Sequence, residues 1–373
     1  MKRTQIGIGT AALAAFLILC GQANAARDMH RAMCHAEFKV CLSDAVDTLF
    51  ECLDHDCKVA FDKTRRACQD LFRNCRENGY PDGVDWVVDD DGAQCPEADY
   101  ANLQDGVDAA QPGQTVFVCP GLYPGTVMIP ADKAGVTLRG MRRRVADRIG
   151  DPLYEAVLDG SPEGTPGFTI QANDVAIIGF TVQYTGDTGI EVKSEDGATP
   201  IYGARIEWNR LATLGDPDID RTDCAGGRGI NFEVATGIIA KNNYITNSCG
   251  AGIRLKSATD GLLKRNVIEG SRKRPGIAVR GGGSHRIIAN TSDNNREAGI
   301  SLHDSTDNVI RKNNMQGNGV PGDPLRPIPG SGSNTDADDT TNLPLENPPG
   351  NIWKTNDCIT ENREGLCALT HAR

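Results

Sequence analysis

Short segments that alternate apolar and polar residues recur through the second half of the chain: Gly229-Ile-Asn-Phe-Glu, Gly252-Ile-Arg-Leu-Lys, Gly276-Ile-Ala-Val-Arg and Gly299-Ile-Ser-Leu-His. A period of two is that of a β-strand with one face buried. The Gly-Ile pairs stand 23, 24 and 23 residues apart, and each is followed by a second short apolar run and an asparagine. Those asparagines, Asn243, Asn266, Asn290 and Asn314, are spaced 23, 24 and 24. An earlier copy, Gly189-Ile190 with Asn209, is separated from the next by an insertion. Such a period is too short for paired-helix repeats and carries no leucine-rich pattern, but it holds three short strands joined by turns. The chain is therefore expected to be mainly β, a single-stranded parallel β-helix of about seven or more coils.

The pattern changes at both ends of residues 84–320, the span assigned to the coils. Strand-like runs at Thr126 to Ile129, Val136 to Leu138, Ala156 to Leu158, Gly167 to Ile170 and Val175 to Ile178 predict irregular early coils. Between residues 99 and 111, Leu103, Val107 and Ala110 fall on one helical face, which suits a cap helix over the open end of the barrel. From 321 to 373 Pro, Gly, Asn and Asp dominate, which predicts a long wrapping loop and a C-terminal cap closed by cysteines.

These repeats resemble those of the pectin-lyase-like superfamily of right-handed parallel β-helices. There Gly-Ile-x-Leu marks the first strand of each rung, and an asparagine at the turn between second and third strands stacks on its counterparts as a ladder. The chemistry suits that place, because asparagine tolerates the left-handed conformation and can bond the backbone of the next rung. The run Leu103-Gln-Asp-Gly-Val-Asp-Ala-Ala-Gln-Pro-Gly-Gln-Thr-Val-Phe-Val-Cys119-Pro-Gly-Leu-Tyr123, followed by Gly135-Val-Thr-Leu-Arg-Gly140, resembles the way many such proteins begin. The resemblance spans residues 84 to 367 and implies fold, not activity.

Residues 1–25 read as a secretory signal, with Lys2 and Arg3, an apolar run from Ile6 to Leu19, and Ala23-Asn24-Ala25 as the cleavage site. A lipoprotein signal ending at Cys20 is the other reading, although Leu19 stands where that processing wants a small residue. No further run has membrane-spanning length, so a secreted or periplasmic product is expected. Twelve of the 13 cysteines then remain, an even number that suits disulfides. Six lie in a helix-rich stretch, residues 26–80, where mirror-symmetric spacing predicts an α-helical hairpin stapled by Cys34 with Cys75, Cys41 with Cys68 and Cys52 with Cys57. A metal site would want a Cys-x-x-Cys pair, which is absent. Cys95 with Cys119, Cys224 with Cys249 and Cys358 with Cys367 are the remaining expected pairs.

In the resembled superfamily, catalysis and sugar binding use the outer face of the first strand, and alternation makes that face legible here. If Ile190, Ile230, Ile253, Ile277 and Ile300 point inward, one outward column is Glu191, Asn231, Arg254, Ala278 and Ser301. The next is Lys193, Glu233, Lys256, Arg280 and His303. A lyase or C5-epimerase must neutralise a uronate carboxylate, remove the proton α to it and, for a lyase, protonate the leaving oxygen. Arg254 and Arg280 suit the carboxylate, Lys256 the base, and His303, beside Asp304, an acid or base. Lys193, Asn231 and Arg274 complete the expected substrate contacts, with Glu233 in the catalytic line. The same columns also describe an ordinary solvated sheet face of mixed charge. Glycoside hydrolysis needs two apposed carboxyls, for which only Glu191 and Glu233 offer themselves.

Charge sharpens the picture. The chain carries −11 overall, yet residues 254 to 286 hold nine Lys and Arg against Asp260 and Glu269. Arg272-Lys273-Arg274 falls in the turn before the Gly276 strand and should flank a groove suited to a polyanion. Nucleic acid is disfavoured by the acidic whole and the lack of interleaved aromatics. Asp216, Asp218, Asp220 and Asp223 mimic the start of a Ca²⁺ loop, but Arg221 and Gly227 stand where an EF-hand needs Gly and Glu, leaving a looser Ca²⁺ site or a solvated loop. The Asn-Thr-Asp, Asp-Asp and Gly-His-Gly set of polygalacturonases is missing. So are the paired-aspartate motif of pectin methylesterases, the Trp-x-Asp-His element of pectate lyases and the Asp-Pro-His of mannuronan epimerases. The expected function is a secreted carbohydrate-binding or carbohydrate-active protein, if catalytic a lyase or C5-epimerase on an acidic polysaccharide or cell-surface glycan. The alternative is a non-catalytic module for adhesion or docking, its hairpin meeting an unidentified protein.

Overall fold

The computed structural model describes residues 83–140, 149–160, 165–214, 227–319, 337–339 and 350–358, together with 69, 361, 366 and 367. The expected signal, the expected hairpin with its three expected disulfides, apart from residue 69, and the aspartates 216–223 lie outside these residues.

Three parallel sheets form the barrel, and each coil adds one strand to each. The first sheet takes the strand after Gly-Ile, as in Ile230–Glu233, Ile253–Thr259, Ile277–Gly283 and Ile300–His303. The second takes Ile239–Lys241, Leu262–Lys264, Arg286–Ile288 and Val309–Arg311, and the third Tyr244–Ser248, Val267–Glu269, Thr291–Asp293 and Asn314–Met315. The isoleucines of the repeat are fully buried and stacked with Phe168, Phe232, Leu255, Val279 and Leu302. Each such side chain contributes roughly 1.5–3 kcal/mol on burial, so the repeat's apolar positions carry the stability of the coil. The glycine before them has a packing cause: a Cβ at Gly252 would collide with Cγ2 of Ile268 across the barrel.

The early strands occur at Val127–Ile129, Thr137–Arg139, Ala156–Asp159, Phe168–Ile170 and Ala176–Ile178, each within a residue or so of its expected place. The cap helix is Leu103–Ala109, with Asn102 as N-cap and Leu103, Gly106 and Val107 buried. Cys95–Cys119 and Cys358–Cys367 are bonded, and Cys249 is in a disulfide while Cys224 lies outside the described residues. The stretch expected to be only a wrapping loop contributes Ala337–Asp339, which pairs with Ile300 to Leu302 as one more strand of the first sheet. Asp338 accepts from Ser301 Oγ at 3.0 Å and Asp339 from Trp353 Nε1 at 3.3 Å, so two acidic residues sit buried at that edge.

The asparagine ladder is continuous but passes through Asn313, not Asn314. Its members are Asn209, Asn243, Asn266, Asn290, Asn313 and Asn356; from Asn243 on, each Oδ1 accepts from the side-chain amide and, by 2.8–3.1 Å bonds, the backbone N–H of the member before, while that of Asn209 accepts from Phe180 N–H. Every ladder asparagine follows a residue at positive φ, and that residue is Lys312 in this rung. Asn314 opens the next strand instead. With this register the distance from repeat glycine to ladder asparagine is 14 residues in all four coils. The one extra residue of the 24-residue coil therefore lies in its third turn, where the basic run sits.

A second ladder at the first turn contains His285, Asn308 and Asn351. His285 is wholly buried; its Nδ1 accepts from Gly261 N–H at 3.0 Å and its Nε2 has no partner. Burial pushes the imidazole down to about 4 from its ordinary 6.5, against an opposing pull from the Ala258 backbone and Asp260. The unfolded chain thus takes up a proton that the fold refuses. Stability is complete above about pH 6.5 and falls by roughly 3 kcal/mol as the pH drops to about 4. His285→Asn should remove most of that loss, read as a flatter melting temperature between pH 7 and 4.5; an unchanged slope would refute the assignment.

Candidate functional site

Strand register aligns both outward columns as alternation predicts. Asn231 stands beside Glu191 and Arg254, and Arg254 beside Ala278, which faces Ser301. Glu233, Lys256, Arg280 and His303 are likewise successive neighbours. Adjacency does not make them a groove. Lys256 Nζ is 2.7 Å from Glu233 Oε1, and His303 Nδ1 is 2.8 Å from Asp304 Oδ2. Burial alone would raise the Glu233 carboxyl, but the bond and charge of Lys256, with Lys193 and Arg254, hold it below its ordinary value. Asn231 is buried, its amide donating to Glu191 at 3.1 Å while its Oδ1 is unpartnered.

The concavity lies toward the third turns. A cleft of about 360 Å³ is lined by Arg228, Cys249, Gly250, Ala251, Arg254, Lys273, Arg274, Pro275, Ala278 and Arg280. Small residues make it: Gly250, Ala251 and Ala278 leave space that the longer turn, residues 270–275, overhangs. Arg254 and Arg280 enter from adjacent first-sheet strands, Lys273 and Arg274 from the turn, and Arg228 from the residue before the Gly229 strand. Of the expected site residues, Arg254, Arg274 and Arg280 meet here; Lys193, Asn231, Glu233, Lys256 and His303 do not line it. Arg228 went unread because the outward columns begin inside the strand, whereas the cleft reaches the residue ahead of it.

Five cations share this hollow. Among the described residues Arg228, Arg254, Lys273 and Arg280 make no ion pair, and Arg274 Nη1 has Glu297 Oε1 at 3.5 Å. Burial, then the charge of Arg228 and more weakly Arg280, push the Arg254 guanidinium below its ordinary value against the pull of Glu233 and Glu191. Arg254 and Arg280 lie one rung apart and two residues along, roughly 8 Å between Cα atoms. Two like charges on neighbouring strands repel, the more so where one of them is half-buried. An anionic ligand would relieve that repulsion.

The acidic residues offer less. Asp89, Asp90 and Asp91 have carboxylates within 4.8 Å of one another. Their oxygens serve backbone N–H groups: Asp89 accepts from Gln94 and Cys95 and Asp91 from Ala93 within the same turn, and Asp90 from Leu122 on a neighbouring strand. Among the described residues no helix is long and apolar enough to cross a membrane.

This architecture defines a right-handed parallel β-helix protein. A family model described as right handed beta helix region matches residues 166–332. Among solved structures the chain is similar to pectate lyase Pel9A, at 12% identity over 77% of this chain and 81% of that one, with a TM-score of 0.46. It is also similar to an alginate lyase from Paenibacillus sp. str. FPU-7, at 13% identity over 71% and 93%, TM-score 0.44. The mannuronan C-5 epimerase AlgE6 A-module of Azotobacter vinelandii is similar at 14% identity over 58% and 70%, TM-score 0.36. No curated protein matches by sequence. Those activities belong to those proteins, and what this cleft does depends on its own side chains.

Proposed function

We propose that this protein binds an acidic polysaccharide, with the cleft between the third turns and the first sheet as the site. One observation carries the reading: four cations without an ion pair among the described residues, and a fifth weakly held, line one hollow of an otherwise acidic chain. A protein keeps such a cluster at a cost in self-repulsion, and a polyanion is the ligand that repays it. The β-helix presents the cleft beside a sheet face on which an extended polymer can lie across successive rungs. The disulfides Cys95–Cys119 and Cys358–Cys367 suit an oxidising compartment, secreted or periplasmic.

Binding is better supported than turnover. Lys256, the expected base, is tied to Glu233, and His303 to Asp304, both away from the cleft. A lyase or C5-epimerase activity would have to recruit Lys273 or release Lys256. Incubation with uronate polymers, with and without calcium, distinguishes the two: unsaturated product absorbance marks a lyase, and NMR of the polymer marks an epimerase. Binding without product leaves a carbohydrate-binding platform, and no binding to any polyanion would sink the proposal.

A further inference from the structure

The cleft's downstream wall departs from the rest. Arg274 has a partner, but the contact is single and 3.5 Å long, where a firm guanidinium–carboxylate pair is about 2.8 Å and often bidentate. The Arg274 side chain is 54% exposed and that of Glu297 only 11%. Glu297 comes from the turn entering the Gly299 strand. The charged groups that act on it are Arg274 on the neighbouring turn, Arg280 on the first-sheet strand, Arg296 in its own turn and Asp338 on the last strand of that sheet. Burial raises its pKa, Asp338 adds to the rise, and the guanidinium groups oppose it. Glu297 is thus a sequestered carboxylate whose weak bond reaches toward the cleft.

We propose that Glu297 is a displaceable internal counter-ion: it occupies Arg274 while the cleft is empty, and an anionic group of the bound polymer takes Arg274 from it. This rests on the acidic-polysaccharide reading of the same cleft and adds its selectivity. A tethered carboxylate competes at an effective concentration on the order of millimolar, which a free sugar acid must exceed to take the guanidinium. A polymer already anchored on Arg228, Arg254 and Arg280 presents its next anionic group at a similar effective concentration and can displace Glu297. The exchange admits chains and turns away monomers. It also releases no net salt ion at Arg274, because the outgoing partner is part of the protein.

The test is Glu297→Gln in the full chain, isosteric and uncharged, titrated with polygalacturonate and with monomeric galacturonate at several salt concentrations. The variant should bind both more tightly, and the monomer-to-polymer affinity gap should narrow at least about threefold. The slope of log affinity against log salt for the polymer should steepen, since the cation that the polymer releases at Arg274 is no longer offset by one returning to a freed Glu297 carboxylate. Both changes should vanish in an Arg274→Ala background. Should the variant fail to fold, Glu297→Asp, which keeps the charge but shortens its reach toward Arg274, takes its place, and monomer and polymer affinity should again rise. Binding by wild type with slope and gap unchanged in Glu297→Gln, or gains that persist without Arg274, or no rise in Glu297→Asp where that variant stands in, overturns the counter-ion role and leaves the polysaccharide reading intact. Failure of wild type to bind any polyanion overturns both.

Discussion

Asn266→Ala should destabilise the protein by about 3 kcal/mol or more, the largest single effect expected outside the apolar core. Asn266 Oδ1 accepts from the backbone and side-chain amides of Asn243 at 3.1 and 2.9 Å, and its Nδ2 donates to Ala240 O and Asn290 Oδ1 at 2.9 and 3.0 Å. Truncation strands the Asn243 N–H and the Ala240 carbonyl in the wall of the barrel, where each unmet group costs roughly 1–3 kcal/mol. Neighbours on both sides are ladder members, so no solvent path runs along the column. Denaturant unfolding measures the loss directly. The same experiment fixes the register: Asn313→Ala should behave like Asn266→Ala, while Asn314→Ala, whose amide reaches only Asp293 at 3.4 Å, should stay within about 0.5 kcal/mol of wild type. Equal losses at 313 and 314 would refute the register.

Arg254→Ala should weaken polyuronate binding at least about tenfold at low salt, the largest effect expected on binding. Arg254 is half-buried at the centre of the cleft, between Arg228 and Arg280, and makes no competing bond among the described residues. A hydrogen bond to a charged partner contributes roughly 1.5–3 kcal/mol, which converts to a loss of ten- to a hundredfold. The stability change should have the opposite sign from that of a structural arginine. Removing a crowded cation relieves repulsion, so the melting temperature should hold or rise. Lys193→Ala, outside the cleft, serves as the control, and a comparable loss there would place the ligand on the open sheet face instead. Added salt should shrink the difference between Arg254→Ala and wild type as the exposed members of the cluster become screened.

Most of the fold could be read from the chain because a β-helix repeats its constraints. The inward isoleucines, the cap helix and the cysteine pairs Cys95–Cys119 and Cys358–Cys367 each follow from local spacing. Asn313 escaped because two asparagines are adjacent and only backbone conformation separates them: the ladder needs the residue after a positive φ. The strand Ala337–Asp339 escaped because its aspartates, buried by partners from other turns, read as solvent-loving. At the site, period two aligned the columns, but a groove depends on what the turns leave unfilled. Ala278 and Gly250 shape the cleft without carrying any chemistry, and nothing in the alternation marks Glu297 as the residue behind Arg274.

The 14-residue arc from repeat glycine to ladder asparagine divides each of the four coils from Gly229 onward into a clamped part and a freer corner. Around the cleft that corner differs in length from one coil to the next, and the strands before and after keep their pairing regardless. Its first residues are held even beside the cleft, where Ser271 N–H donates to Asn295 Oδ1, as Asn295 N–H does to Asn318 Oδ1 one coil on. Beyond that held point the coil of Gly252 carries one residue more than its neighbours without any shift of register. Loops grafted between Lys273 and Pro275, past the bond from Ser271 to Asn295, should alter what the cleft accepts while the unfolding of the coil stays the same.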